Sequence, residues 1–312
     1  MQKISVLMTV YNEPFNWVKQ SLGSTVNSLK NSQLDFEVVL VIDNPNYEWL
    51  WNLKEYIRGI GLESSATIHV VLNEVNLGLV ESLNLAAKVA RGDFFARMDA
   101  DDISCPSRFE DQLAFLKKNN LDFVAGNIDL IDDNGNVTFR FNDMRSISGR
   151  KIVFLEKLTN RFWHPTWLMK KSVFYSLNGY RNVPSAEDYD FVVRALNKEY
   201  RLGLLGKVVL KKRVNPNSIS ELDGYQQKIA AKWVRMGLMR PNRIQNVAEI
   251  KSVSVVERYK YIQINKKQKT NRNNGSLKKA KMYGGLVFNQ VGRLIIYEAI
   301  KEKLVTAWLK ER

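Results

Sequence analysis

Short runs of β-branched residues alternate with segments of helical periodicity through the first hundred residues, and this alternation restricts the fold more than any other feature. Brief apolar runs are typical of buried strands, and apolar residues three and four apart are typical of helices packed on a sheet. Strands separated by helices form βαβ units with parallel strands. We therefore predict an α/β doubly wound sheet, with strands at 4–10, 36–43, 67–72 and 94–98 and helices at 15–29, 50–58 and 78–90.

The residues that directly follow these strands are the first candidates for a binding site. In a doubly wound sheet the ligand crevice lies beyond the carboxyl ends of the strands. The four segments in that position are rich in Asn, Asp and Glu, and they span residues 11–13, 43–46, 73–78 and 99–102.

The regular alternation ends near residue 141. Before that point we predict a helix at 107–118, a strand at 123–131 and a hairpin turn at 132–136 that leads into a strand at 137–141. Residues 147–214 mix helix with an aromatic loop at 161–167. We predict one α/β domain over 1–215, divided into halves at 1–104 and 105–215, and a basic helical region over 216–312.

Composition limits the class of protein. The chain has 312 residues, 45% of them hydrophobic, and a single cysteine, Cys105, so a disulfide framework is excluded. The sequence contains neither a signal peptide nor an apolar run of membrane-spanning length, which predicts a cytoplasmic protein. The formal charge of +15 is concentrated after residue 240, where 16 Lys and Arg stand against 5 Asp and Glu. Such a concentration of positive charge attracts anionic lipid headgroups, diphosphates and nucleic acid alike.

An acidic cluster follows the strand at 94–98. Asp99, Asp101 and Asp102 would repel one another unless a cation lay between them. Clustered carboxylates suit Mg²⁺ or Mn²⁺, which commonly bind one or two carboxylates together with substrate phosphates. The alternative is a solvated turn that caps the following helix.

Several separated segments resemble glycosyltransferase family 2, whose members are inverting nucleotide-sugar transferases with the GT-A fold. Residues 5–13, Asn76-Leu77-Gly78 and the segment 97–102 resemble the donor-side motifs of that family. His164-Pro165-Thr166, Gly179-Tyr180 and residues 186–191 resemble the acceptor-side motifs of its bacterial members that assemble surface polysaccharides. The resemblance covers residues 3–210 and implies a GT-A mixed sheet flanked by helices.

The resemblance assigns the first half of the domain to a nucleotide-sugar donor, with UDP-sugar as the expected donor. Asp43 would accept the imide N–H of uracil, although a strand-ending turn residue before Asn44-Pro45 is the structural alternative. Asp99 would lie near the ribose and donor sugar, and Asp101, with Asp99, would hold Mn²⁺ or Mg²⁺. The remaining nucleotide contacts would come from Thr9, Tyr11, Glu13 and Asn76.

The second half would bind the acceptor, expected to be a lipid-linked oligosaccharide. Asp188 matches the position of the family's catalytic base, with Glu187 as the alternative base or an orienting neighbour. These carboxylates also suit the N-terminus of a helix, which is a purely structural explanation. Trp163, His164 and Asp102 are candidate acceptor contacts, and a hydrogen-bonded core position is the alternative for His164.

Apolar residues recur at helical intervals among basic residues in the closing segment 285–312. This pattern is typical of an amphipathic helix at an anionic membrane surface. A helix packed on the catalytic domain, or on a second subunit of a homodimer, is the alternative. A nucleotidyltransferase is disfavoured because residues 11–14 contain no glycine, and no nucleic-acid motif supports a non-enzymatic polyanion-binding protein.

Overall fold

We describe the fold from a computed structural model. The described residues are 3–32, 34–62, 66–141, 144–214 and 224–238, together with 247, 250, 253–254, 261–262, 297, 300–301 and 304–305.

Ten strands of the described residues form one mixed sheet. In chain order the strands are β1 (Lys3–Val10), β2 (Asp35–Ile42), β3 (Ala66–Leu72), β4 (Phe94–Asp99), β5 (Ile103–Ser104), β6 (Phe123–Ile131), β7 (Val137–Arg140), β8 (Ile147–Ser148), β9 (Leu168–Lys170) and β10 (Leu202–Arg213). Across the sheet the order is β3-β2-β1-β4-β9-β6-β10-β5, with β7 paired to β6 and β8 paired to β10.

Helices cover both faces of this sheet. They are α1 (Phe15–Asn31), α2 (Leu50–Gly59), α3 (Leu79–Val89), α4 (Arg108–Lys118), α5 (Arg150–Leu158), α6 (Lys171–Ser176), α7 (Glu187–Asn197) and α8 (Gly224–Met236), with a 3-10 turn at His164–Thr166. Within the part of the chain that the structure describes, no helix is long and apolar enough to cross a membrane.

The predicted α/β sheet is confirmed, and its first four strands follow the predicted parallel arrangement. The short strand β9 is the main feature that the periodicity did not predict. It lies antiparallel between β4 and β6 and joins the two predicted halves of the domain into one sheet. A three-residue strand is too short to produce a periodic pattern. The predicted domain boundary at residue 215 stays a prediction.

Strand β1 illustrates why the sheet is buried on both faces. Its residues Ile4, Val6, Met8 and Val10 join the apolar cluster on one face, and Leu7 joins the cluster on the other. Successive side chains of a strand point to opposite faces, so a strand covered by helices on both sides must be apolar throughout. The result is a rigid central sheet whose carboxyl edge carries the polar segments.

Only five residues of the predicted closing helix lie within the described part of the chain, and all five are helical. Val305 is buried in the same apolar cluster as Leu7 of β1. Tyr297, Ile300 and Leu304, spaced three and four apart, are 54, 56 and 67% exposed. One side of the segment therefore packs on the catalytic domain, and another side presents apolar residues to solvent.

Candidate active site

The acidic cluster lies at the carboxyl end of β4, as the sequence predicts. Asp99, Asp101 and Asp102 each offer a carboxylate oxygen, and these oxygens lie within 4.8 Å of one another. Asp102 does not cap α4, because it is buried and its Oδ1 accepts the Arg213 backbone N–H over 2.8 Å. Asp102 Oδ2 is buried without a hydrogen-bond partner among the described residues. A divalent cation would satisfy this oxygen, so the residues present fit the predicted metal site.

Two cations, one on β4 and one on β10, balance part of this negative charge. The Arg97 guanidinium pairs with Asp99 Oδ1, and Lys212 Nζ lies 3.8 Å from Asp99 Oδ2. Burial acts to lower the pKa of Lys212, but the charges of Asp102, Asp99 and Asp101 outweigh it and raise that pKa to about 12. Lys212 is therefore a permanent positive charge beside the three carboxylates.

The three carboxyl groups have different pKa values. Burial raises the pKa of Asp101, and the neighbouring charge of Asp99 adds to the effect. Burial also raises the pKa of Asp102 well above its ordinary value. For Asp99, burial is outweighed by Arg97 and Lys212, which lower its pKa. A cation bound among these three carboxylates would relieve their mutual repulsion.

Asp43 organises the loop between β3 and α3. Its Oδ1 accepts from Asn73 Nδ2 over 2.7 Å and from the Leu77 N–H over 2.8 Å, and its Oδ2 accepts from the Gly78 N–H over 2.8 Å. Asn76 Oδ1 accepts from the same Gly78 N–H over 2.9 Å. Gly78 has a φ of +81°, which favours glycine. The predicted contact from Asp43 to uracil stays a prediction, and the observed contacts make Asp43 a loop-ordering residue as well.

Thr9, Tyr11 and Glu13 follow one another along the end of β1 toward the acidic cluster. Thr9 is paired in register with Asp99 on β4. Glu13 Oε2 accepts the Tyr11 backbone N–H over 2.7 Å, which closes the turn after β1. Burial raises the pKa of Glu13, and the charges of Asp101 and Asp99 act in the same direction. Thr9 and Glu13 therefore border the cluster, and the contacts of all three residues to a nucleotide stay predictions.

Glu187, Asp188 and Asp190 open α7, and the structure separates their roles. Asp190 is completely buried and pairs with Arg181 and Arg194, so it has a structural role. Asp188 is half-buried, and its carboxylate accepts hydrogen bonds from the Tyr189 N–H and from Asn160. Burial raises the pKa of Asp188 to about 6. Burial and then the charge of Asp188 raise the pKa of Glu187 to about 7.

His164 and Trp163 lie in the loop that precedes β9. His164 Nε2 lies 2.8 Å from the Tyr180 hydroxyl, and its ring packs against Trp167 and Tyr180. Burial, followed by the charge of Arg97, lowers the pKa of His164 well below its ordinary value. The imidazole is therefore neutral at pH 7. Trp163 is half-buried against Phe141, and the acceptor contacts of both residues stay predictions.

The carboxylates at the end of β4 and those at the start of α7 act on one another electrostatically. The charge of Asp99 contributes to the pKa of Glu187, and it also contributes to that of His164. The charge of Lys212 reaches Asp188 as well. The ends of β4 and β10 and the start of α7 therefore lie close to one another, although they are far apart along the chain.

Comparison with known proteins identifies this arrangement. Residues 5–177, more than half of the chain, match the sequence pattern of Glycosyl transferase family 2. The chain belongs to glycosyl transferase family 2. It is 32% identical over 230 residues to an uncharacterized glycosyltransferase of Methanocaldococcus jannaschii, a match covering 72% of this chain and 74% of that protein. Family membership makes the chain a glycosyltransferase, which decides against the nucleotidyltransferase and the non-enzymatic alternative.

Two further similarities bear on this glycosyltransferase. The O-antigen biosynthesis glycosyltransferase WbnJ of Escherichia coli is 29% identical over 222 residues, covering 70% of this chain and 82% of that protein. The crystal structure of S. aureus TarS residues 1–349 in complex with UDP superposes with a TM-score of 0.53 at 18% identity, covering 98% of this chain and 90% of that TarS fragment. The TarS similarity supports the GT-A fold.

Four residues of the glycosyltransferase site were not predicted. They are Glu156, Asn160, Lys212 and Arg213. The sequence could have indicated Lys212 and Arg213, because a run of basic residues at the end of a largely apolar strand needs negative charges nearby. For Glu156 the signal was a carboxylate on the apolar side of α5, beside Ile152 and Leu155. Asn160 carries no periodic or charge signal, and only its position in the fold reveals it.

Proposed function

We propose that the chain is an inverting glycosyltransferase that transfers a hexose or N-acetylhexosamine from a UDP-sugar to a hydroxyl group of an oligosaccharide. The observation that carries the proposal is the convergence of the three-aspartate cluster and the Glu187-Asp188 pair in one site. A direct displacement needs groups that stabilise the leaving diphosphate and a base on the acceptor side. The UDP bound in the TarS structure supports a uridine donor.

Asp188 is the proposed base. The acceptor oxygen attacks the anomeric carbon, the bond from that carbon to the β-phosphate oxygen breaks, and the acceptor proton passes to Asp188. With a pKa of about 6, this carboxylate is ionised at neutral pH yet remains basic enough to accept a proton. The rate constant should therefore rise as the pH increases through about 6. Glu187 remains the alternative base.

Asp99 and Asp101 are the proposed ligands of Mn²⁺ or Mg²⁺, and the unpartnered Asp102 Oδ2 favours a cation at the same place. A divalent cation bound there supplies positive charge that stabilises the departing UDP. Arg97 and Lys212 contribute two further positive charges from the protein itself. Thr9, Tyr11, Glu13, Asp43 and Asn76 are proposed to contact the nucleotide.

The proposed acceptor is a lipid-linked oligosaccharide used in bacterial surface polysaccharide assembly, which the similarity to WbnJ supports. His164 and Trp163 are the proposed acceptor contacts. The chain's charge of +15 and the exposed apolar residues Tyr297, Ile300 and Leu304 support a cytoplasmic enzyme bound peripherally to an anionic membrane. The proposed homodimer contact concerns the closing segment, which lies mostly outside the described residues.

Calorimetric titration with UDP, GDP and dTDP, with and without Mn²⁺, tests the donor site. We expect metal-dependent binding of UDP. Preference for GDP or dTDP would overturn the proposed donor, and failure to bind any nucleotide in the presence of metal would overturn the proposed site. A panel of UDP-glucose, UDP-galactose, UDP-N-acetylglucosamine and UDP-N-acetylgalactosamine then identifies the sugar through the release of UDP.

Two substitutions separate the donor site from the base. Asp101→Ala should abolish both UDP release and metal-dependent UDP binding. Asp188→Ala should reduce UDP release by about 100-fold or more while UDP binding is retained. Asp133→Asn removes one exposed carboxylate outside the site and serves as the control. Full activity of either site variant would remove that residue from the mechanism.

A further inference from the structure

Asn160, just beyond the end of α5, faces the Asp188 carboxylate. Its Nδ2 donates to Asp188 Oδ2 over 3.2 Å, and its Oδ1 accepts the Phe162 backbone N–H over 3.1 Å. A backbone N–H can only donate, so the second bond turns the amide oxygen toward Phe162 and the amide nitrogen toward Asp188. Asn160 therefore presents a donor of fixed orientation to this carboxylate.

The Asp188 carboxylate receives one donor on each oxygen. Oδ1 accepts the Tyr189 N–H over 2.6 Å, and Oδ2 accepts from Asn160. Two donors on different oxygens oppose rotation of the carboxylate about its terminal torsion. Because each carboxylate oxygen has about two lone-pair sites, each still has one site for a hydroxyl proton.

The segment that carries Asn160 is attached to α7 by further bonds. The Tyr189 hydroxyl donates to the backbone carbonyl of Glu156, and Glu156 Oε1 accepts the Arg161 N–H over 3.0 Å. Tyr189 and Glu156 are both buried. Asn160 is thus anchored to the same helix turn as Asp188, and supporting contacts of this kind are what hold a reacting group in its productive geometry.

We propose that Asn160 is a positioning residue of the transfer reaction, which holds Asp188 in the orientation that accepts the proton of the acceptor hydroxyl. This inference rests on the proposed function, because it assumes that Asp188 is the base.

The charged and titratable groups around Asp188 come from four parts of the chain, one of which is Tyr180 in the loop before α7. Glu187 lies beside it on α7, Glu156 faces it from α5, and Lys212 acts on it from β10. The charge of Asp188 helps to raise the pKa of both glutamates, and the charge of Lys212 lowers the pKa of Asp188. The Asn160 hydrogen bond lowers the pKa of Asp188, so loss of this donor should raise that pKa and move the acid limb of the rate profile to higher pH.

The test measures UDP release from the UDP-sugar selected in the panel above, with Mn²⁺, at pH values on both sides of the acid limb. Asn160→Ala should lower kcat by about 10- to 100-fold, with the KM for the donor and the UDP affinity unchanged, and should move the acid limb upward. Asn160→Ser retains a hydroxyl donor and should recover part of the rate. Asn197→Ala removes a similar amide bond, 3.3 Å to the Gly237 carbonyl at the other end of α7, and should leave the profile unchanged.

A double-mutant comparison separates the two proposals. If Asn160 acts through Asp188, Asn160→Ala should have no further effect in an Asp188→Asn background. If Asn160→Ala has the wild-type kcat and the wild-type acid limb while Asp188→Asn is inactive, the positioning role is wrong and Asp188 remains the proposed base. Full activity of Asp188→Asn would instead overturn the base. A parallel loss of melting temperature, UDP affinity and kcat in Asn160→Ala and Asn160→Ser would show a purely structural role and also contradict the inference.

Discussion

At the scale of single residues, three carboxyl groups near the start of α7 differ because their surroundings differ. Asp190 is completely buried between two arginines, which neutralise its charge. Asp188 is half-buried and receives two hydrogen bonds. Glu156 is completely buried, and its Oε2 has no hydrogen-bond partner among the described residues. Burial therefore raises the pKa of Glu156 to about 8.

Glu156 should make the stability of the protein depend on pH. Its pKa is about 8 in the folded state and 4.5 as its ordinary value, so the folded state binds the proton more tightly than the unfolded chain. The free energy of unfolding should therefore fall as the pH rises from 4.5 through about 8. Glu156→Gln should remove this loss and stabilise the protein at pH 8 by about 1 to 3 kcal/mol.

Thermal melts of wild type and Glu156→Gln near pH 4.5 and pH 8 check this expectation. The difference in melting temperature should be small at the lower pH and favour the variant at the higher pH. Glu110→Gln, on the exposed side of α4, is the matched control and should show no such trend. A variant that is less stable than wild type at pH 8 would contradict the account.

At the scale of elements, the loop after β3 depends on one side chain from a neighbouring strand. The Asp43 carboxylate accepts two backbone N–H groups, those of Leu77 and Gly78, and the side chain of Asn73. These N–H groups lie where the chain enters α3, and N–H groups at the start of a helix have no partner within the helix itself. Asp43 thereby joins the end of β2 to the start of α3.

Asp43→Asn should loosen this loop without unfolding the sheet. One carboxylate oxygen becomes an NH₂ group that cannot accept from a backbone donor, at an expected cost of about 1 to 3 kcal/mol for a buried unsatisfied group. Faster amide exchange at residues 77 and 78 and weaker UDP binding are the expected results. Asp35→Asn alters the opposite end of the same strand and should change neither quantity. Unchanged exchange at residue 78 in Asp43→Asn would show that the carboxylate does not order the loop.

At the scale of the whole molecule, the site exists because one sheet unites distant parts of the chain. Strand β9 bridges β4 and β6, and β10 runs parallel to β6. The Arg108 side chain donates to the Arg97 carbonyl over 2.7 Å, and Gln112 donates to the Thr166 carbonyl over 2.6 Å. These buried bonds connect α4 to both sides of the β4–β9 junction and hold the acidic cluster relative to the loop before β9.

Ligand binding at this site should stabilise the whole fold. A ligand that binds only the folded state at about 100 times its Kd adds about 2.7 kcal/mol to the free energy of unfolding. UDP with Mn²⁺ should therefore raise the melting temperature by several degrees, and neither component alone should have the full effect. Asp101→Asn should abolish the increase, whereas Asp133→Asn should retain it. An undiminished increase in Asp101→Asn would exclude Asp101 from the metal-dependent donor site.

The sequence by itself determined the strands and helices of the first half and the positions of the acidic cluster and α7. Those features are local, because periodicity and strand-end polarity need no distant partner. Only the tertiary structure decided the place of β9, the charge partners Lys212 and Arg213, and the contact of Asn160 with Asp188. Each of these depends on residues far apart along the chain or on a segment too short to form a pattern. Burial, which sets the pKa values of Glu156 and Asp188, likewise arises only when the sheet and its helices pack together.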